Sequence, residues 1–145
     1  MIRPLRHDDT EAVTALWLLS TTLAHPFISP AYWQESLPML RDDCLPQSWS
    51  RTDEQHGVLT GFICVSRESY ISALFISPLY HRQGIGNRLM AHAKRQFPML
   101  MLEVYQLNRA ARRFYRREGF RLIGRYRNEE TGHLVLILQW RQRPA

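Results

Sequence analysis

A strand that runs into a glycine-containing turn and then into an amphipathic helix is the feature that most limits what this chain can fold into. Tyr70 to Ile76 is rich in β-branched and aromatic side chains, which favour a strand, and Pro78 ends it. Gly84-Ile85-Gly86 then opens a helix to about Phe97, with Ile85, Leu89 and Ala93 at i, i+4 and i+8, before Pro98 stops it. The first N–H groups of a helix have no partner inside it, and with the helix dipole they form an anion site. Gly84 and Gly86 let main chain approach phosphate oxygens with no Cβ between, and Arg82 and Arg88 add positive charge. The nucleotide-hydrolase loop needs Lys followed by Ser or Thr after its second glycine, where this chain has Asn87-Arg88. The dinucleotide fingerprint needs a third glycine where Leu89 stands. Neither motif fits, and an ordinary tight turn is the alternative reading of this Gly-x-Gly.

The periodicities on either side extend the pattern. Ile2 to Leu5 reads as a strand, and Asp8 or Asp9 is placed to N-cap a helix carrying Val13, Leu16, Trp17 and Ser20 on one face. His25-Pro26-Phe27 ends that helix. Pro30 to Leu45 reads as a second helix, kinked or split at Pro38. Ser48 to Thr52 is a weak strand, His56-Gly57 a turn and Val58 to Ser66 a strong strand. Met99 to Tyr105 is another strand. Asn108 caps a helix to about Glu118, which Gly119 stops. Phe120 to Arg127 and His133 to Trp140 read as an antiparallel hairpin. The order β-α-α-β-β-β-α-β-α-β-β predicts an α/β fold: a mixed, mostly antiparallel sheet of about seven strands with about four helices on its faces. The 145 residues suit one domain, residues 1–145.

Composition narrows the function classes. With 45% hydrophobic and 22% charged residues the chain is neither disordered nor membrane-spanning in type. Its N-terminal residues lack a signal-peptide apolar run, so the expectation is a cytoplasmic protein with no membrane partner. Cys44 and Cys64 lie in apolar segments and read as buried free thiols, and the scattered histidines predict no metal. The net charge of +6 suits an anionic partner, either nucleic acid or a phosphate-bearing small molecule.

Leu74-x-Ile76-x-Pro78 followed by Arg82-Gln83-Gly84-Ile85-Gly86 and a helix resembles the central motif of the GNAT superfamily of N-acetyltransferases. The resemblance implies acetyl-CoA as co-substrate. It assigns Leu74, Phe75 and Ile76 to the strand that pairs with the pantetheine arm. Arg82, Gln83, Gly84, Ile85, Gly86 and Asn87 become the pyrophosphate loop. The family usually has Arg or Gln three residues before the first glycine; here the residue is His81, with Arg82 beside it.

A second stretch, Asn108-Arg109-Ala110-Ala111-Arg112-Arg113-Phe114-Tyr115-Arg116-Arg117-Glu118-Gly119-Phe120, resembles the family pattern Asn-x-x-Ala-x-x-Phe-Tyr-x-x-x-Gly-Phe at every fixed position. Asn108 is placed to cap its helix and reach the cofactor arm. Tyr115 carries a phenol, ordinarily of pKa about 10, that can protonate a departing thiolate. The resemblance gives it that role toward the CoA sulfur; the alternative is a core tyrosine with a satisfied hydroxyl. Glu103 is a carboxylate in an apolar strand and a candidate base for the amine. It reads equally as a solvent-facing residue or an arginine's partner. Most of the helix's arginines read as a solvated face, while Arg109 and Arg113 could meet the 3′-phosphate of CoA. No cysteine occupies a matched position, so direct transfer is expected.

The aromatic segment from Ser20 to Trp33 suits one wall of an acceptor site, in which His25 either contacts substrate or caps a helix end. Tyr70 is a second residue that could face the cleft. This detail resembles small bacterial acetyltransferases that act on protein lysines. It favours a protein or peptide amine, a lysine or an N-terminus, over a small molecule, and disfavours nucleic acid. Two rival readings stand beside it: a non-catalytic acyl-CoA sensor, and an enzyme for small amines or aminoacyl-tRNA. The expected state is a monomer or homodimer, with the last strand free to pair across a dimer.

Overall fold

A computed structural model describes residues 1–143. Strand β1 (Ile2–Pro4) leads through a short 3-10 turn, His7–Asp9, to helix α1 (Thr10–Ala24). The Asp9 carboxylate does not cap α1, as the sequence suggested. It reaches back instead, accepting from the Arg6 N–H at 2.7 Å and from both terminal nitrogens of Arg3 at 2.7 and 3.0 Å. Arg3 also donates to Glu54 at 2.6 Å, so one guanidinium joins β1, the strand that carries Glu54 and the start of α1.

Helix α2 (Pro30–Pro38) begins with Pro30 behind the Ser29 cap. Pro38 has no N–H to return to the preceding turn. The chain therefore widens there, through π-type turns over Met39–Cys44 in which the Leu45 N–H reaches back to Leu40, and closes in the single turn α3 (Leu45–Gln47). The second predicted helix thus holds together in altered form. Strands β2 (Trp49–Gln55), β3 (Val58–Val65) and β4 (Ile71–Ile76) complete an antiparallel sheet of order β1-β2-β3-β4. Helix α4 (Ile85–Gln96) follows the glycine turn. Strand β5 (Met99–Tyr105), helix α5 (Arg109–Arg117), β6 (Arg121–Arg127) and β7 (Leu134–Arg141) form the rest, with a second antiparallel sheet ordered β5-β7-β6. The seven strands and their helices are those of the predicted class, divided between two sheets.

One expectation fails. The last strand, β7, lies between β5 and β6 and is paired along both edges, so it has no edge to offer a second copy. The outer edges of this sheet belong to β5 and β6.

Period-2 alternation divides the core. Ile63 and Val65 on β3 face α4, joining Ile85, Leu89, Met90 and Ala93 with Leu100, Leu102, Leu136 and Leu138 of the second sheet. Phe62 and Cys64 face the other way and pack with Val13, Leu16 and Trp17 of α1 and with Leu40 and Leu45. Burial pushes the Cys64 thiol up to about 12, which leaves it an inert filler. Among the described residues no helix is long and apolar enough to cross a membrane.

Candidate active site

The two sheets touch where Tyr70, just before β4, bridges to Met101 on β5 in parallel fashion, with the Met101 N–H donating to the Ser69 carbonyl at 2.9 Å. Beyond that bridge β4 pairs only with β3, and β5 only with β7. The facing edges part and open a cleft of about 310 Å³. Ser72 to Phe75 form one side, Leu102 to Tyr105 the other. His25, Tyr32 and Trp33 close it from the α1–α2 side, and Asn108, Ala111 and Tyr115 from α5. Strand edges without partners keep unused main-chain donors and acceptors, which suits a ligand carrying amides.

Of the predicted strand residues, Leu74 and Phe75 line this cleft. Ile76 lies just past it, its carbonyl facing His81 Nε2 at 3.1 Å and its side chain near Gly86. The turn from Arg82 to Asn87 sits at the start of α4. Gly84 is its N-cap residue, left-handed at φ 75° and making no side-chain cap bond, so the first N–H groups of α4 are not taken by a cap. Arg82 is also left-handed, at φ 66°, a costly conformation for a residue with a Cβ and one that clusters at binding sites. A Cβ on Gly86 would stand 3.2 Å from the Phe114 ring, so this glycine lets α5 close against the start of α4. Arg88 folds back onto the Gln83 carbonyl at 3.0 Å and braces the turn. The Asn87 side chain points away from the turn and donates to Glu118 at 2.6 Å, beside the Lys94–Glu118 pair.

Tyr115 lines the cleft and packs edge-on against Phe114 and Phe120. Among the described residues its hydroxyl makes no hydrogen bond, and burial raises its pKa above the ordinary phenol range. Such a group stays protonated and has a proton free to give. Asn108 caps α5 by accepting from the Ala111 N–H at 3.3 Å, and its amide nitrogen faces His25 Nε2 at 3.4 Å. His25 is buried, stacks on Trp33 at 4.8 Å between centroids, and is held at Nδ1 by the Thr21 carbonyl at 2.6 Å. It caps the end of α1 through that carbonyl, as one of the two readings of the sequence had it, and joins α1 to α5.

Across the cleft, Glu103 is exposed and accepts from the Tyr70 hydroxyl at 2.5 Å. The strand carboxylate is therefore neither buried nor paired with an arginine. Sequence reasoning missed Tyr126, which lines the same cleft from β6. Alternation along β6 could have placed it opposite Val135, but nothing in the sequence told which face of the hairpin meets the cleft. Arg109, Arg112, Arg113 and Arg116 line a separate depression on α5, and none of them makes an ion pair among the described residues.

The sequence pattern of the acetyltransferase (GNAT) domain matches residues 9–136. The chain belongs to the GNAT acetyltransferase family. It is 37% identical to the peptidyl-lysine N-acetyltransferase YiaC of Escherichia coli K12, over 97% of this chain and 96% of that one. It is also 37% identical to the peptidyl-lysine N-acetyltransferase YjaB of Salmonella typhimurium LT2, over 90% of each. The solution structure of apo YjaB from E. coli superposes with a TM-score of 0.82 at 29% identity, covering 99% of this chain and 98% of that one. The PaiA N-acetyltransferase of Thermoplasma acidophilum, solved with coenzyme A, shares the fold with a TM-score of 0.81 at 19% identity, over 97% of this chain and 98% of that one. As a GNAT member the chain is an N-acetyltransferase.

Proposed function

We propose that this GNAT protein, acting as one domain over residues 1–145 in the cytoplasm, transfers the acetyl group of acetyl-CoA to the side-chain amine of a protein lysine. The observation that carries the reading is the pairing, in one cleft, of an unbonded phenol with raised pKa, Tyr115, and an exposed carboxylate, Glu103. Two relatives at 37% identity that bear the name peptidyl-lysine N-acetyltransferase support the choice of acceptor.

The residues fit the co-substrate. Arg82, Gln83, Gly84, Ile85, Gly86 and Asn87 would hold the pyrophosphate at the uncapped start of α4, mainly through main-chain N–H groups. The unpaired edge of β4, Leu74 to Ile76, would hydrogen-bond the pantetheine amides, with Asn108 facing from α5. Acetyl-CoA supplies the reactive thioester and leaves as the thiol. Glu103 takes a proton from the amine, directly or through water, as the new C–N bond forms and the C–S bond breaks. Main-chain donors at the end of β4, the Ile76 N–H among them, stabilise charge on the carbonyl oxygen. Tyr115 gives its proton to the departing sulfur and regains one from solvent.

Calorimetric titration with acetyl-CoA, followed by mass spectrometry of lysine peptides incubated with protein and acetyl-CoA, tests the reading. Saturable binding with acetylation at lysine is the expected result. Binding without transfer to any lysine peptide would overturn the acceptor assignment, and no binding by the folded protein would overturn the cofactor site.

A further inference from the structure

Among the described residues that line the cleft Glu103 is the one carboxylate, and none of them is a lysine or an arginine. One phenol bonds to Glu103 and a second shares its face of the sheet and its cleft. The Tyr70 hydroxyl, from the start of β4, donates to Oε2 at 2.5 Å. Tyr126 comes from the far side of the second sheet. On β7, Val135 lies in register with both Tyr126 and Tyr105, and Ile137 with Glu103. Cross-strand partners and residues two apart share a face, so Tyr126 and Glu103 project from the same side of the sheet. Interaction with the Glu103 carboxylate, ahead of burial, pushes the Tyr126 phenol up to about 12.

A phenol that spends its hydrogen on a carboxylate has only lone pairs left to offer. The Tyr70 hydroxyl therefore faces the cleft as an acceptor, and with the Glu103 carboxylate and the Tyr126 hydroxyl that lines the same cleft the cluster offers three acceptor groups, two phenolic and one carboxylate. A primary alkylammonium ion carries three N–H donors and a positive charge. Tyr126 is 43% exposed, which leaves this end of the cleft open to a side chain brought by another protein.

We propose that Tyr70, Glu103 and Tyr126 form a receptor for a primary alkylammonium ion, the head group of an unmodified lysine, that reads its three N–H donors as well as its charge. The proposal rests on the lysine-acetylation reading and adds the residues that select the acceptor. Glu103 holds the protonated amine in the resting complex and takes its proton when transfer begins. Tyr70 and Tyr126 are specificity residues that touch the ammonium. Each methyl group on the nitrogen removes a donor, so binding falls from lysine to monomethyl-lysine to trimethyl-lysine. A cage of aromatic faces would reverse that order, because cation–π attraction needs no N–H.

The test has two arms. In the first, steady-state kinetics with a lysine peptide compare wild type with Tyr126→Phe and Tyr70→Phe, which keep the rings and remove one oxygen each. Each lost hydrogen bond to a charged group raises KM about tenfold, and the loss falls on KM rather than kcat. Thermal melting and circular dichroism verify that both variants fold. In the second arm, the CoA-bound protein is titrated with the same peptide carrying lysine, trimethyl-lysine or norleucine. The lysine peptide binds at least about tenfold tighter than either analogue. An unchanged KM in both variants, or trimethyl-lysine binding as tightly as lysine, overturns the receptor while wild-type acetylation of the peptide leaves the lysine reading standing. Failure of wild type to acetylate any lysine peptide removes both.

Discussion

The amide nitrogen of Asn108 donates to Nε2 of His25 across 3.4 Å, so the residue that caps α5 is held by the residue that closes α1. The contact ties the helix that carries Tyr115 to the α1–α2 wall of the cleft. It requires His25 to be neutral, with its hydrogen on Nδ1 facing the Thr21 carbonyl and a lone pair on Nε2 facing Asn108.

Burial lowers the His25 pKa below its ordinary value. As pH falls, the unfolded chain takes the proton first. The contribution of His25 to stability is therefore complete above pH about 6.5 and is lost as pH falls through the folded-state value. Melting temperature measured from pH 8 down to pH 5 is expected to hold and then fall in wild type. The fall is shallower in His25→Gln, which has no imidazole to protonate. Parallel curves for the two proteins would remove His25 from this role.

Tyr115→Phe is expected to lower kcat by about 100-fold or more, the scale of a lost general acid. Its affinity for acetyl-CoA, read by calorimetry, stays within about twofold because the phenol makes no bond that holds the cleft together. Since burial raises the Tyr115 pKa, the acid stays protonated where a free phenol would ionise, at about pH 10. The alkaline limb of the pH–rate profile should therefore lie above that value wherever Tyr115 governs it.

At the start of α4, Gly86→Glu puts a carboxylate at the proposed phosphate site and a Cβ 3.2 Å from the Phe114 ring. Loss of acetyl-CoA binding is the expected result. Gly86→Ala separates the two causes, since it meets the ring without adding charge. It should cost about 1–3 kcal/mol of stability and retain most of the binding.

The arginines of the α5 depression provide a charge test. Arg113→Glu is expected to weaken CoA more than dephospho-CoA in paired titrations, the difference shrinking as salt rises. Equal weakening of the two ligands would return Arg113 to the solvated face.

Arg3 and Asp9 form a two-point pair whose side chains are 10% and 13% exposed. The Arg3 guanidinium holds the Asp9 carboxyl below the usual carboxylate range. Its stabilisation is present above pH about 3.9 and is lost as pH falls through the lower folded-state value. Asp9→Asn should cost about 1–3 kcal/mol by denaturant unfolding at neutral pH, and should flatten the acid limb of the stability curve.

Local chemistry written in consecutive residues was legible in the sequence. Proline and glycine punctuation marked where α2 changes pitch, where α4 begins and where α5 stops. Runs of apolar, β-branched and aromatic residues bounded by turns located β3, β4 and β5, and the Asn108-to-Phe120 stretch announced both the helix that carries Tyr115 and the family. Relations between distant segments were not legible. Asp9 looks like a helix cap until Arg3 and Glu54 meet beside it. The last strand of the predicted hairpin looks like an edge until β5 pairs along its other side. The sequence by itself determined the elements, the glycine turn at the start of α4 and the phenol, because each depends on φ, periodicity or side-chain type within a few residues. Only the tertiary structure decided that β4 and β5 part after one bridge, that His25 meets Asn108, and that Tyr70 and Tyr126 flank Glu103. Those facts depend on which strand edges and faces pack together, a property of the whole chain that no local stretch contains.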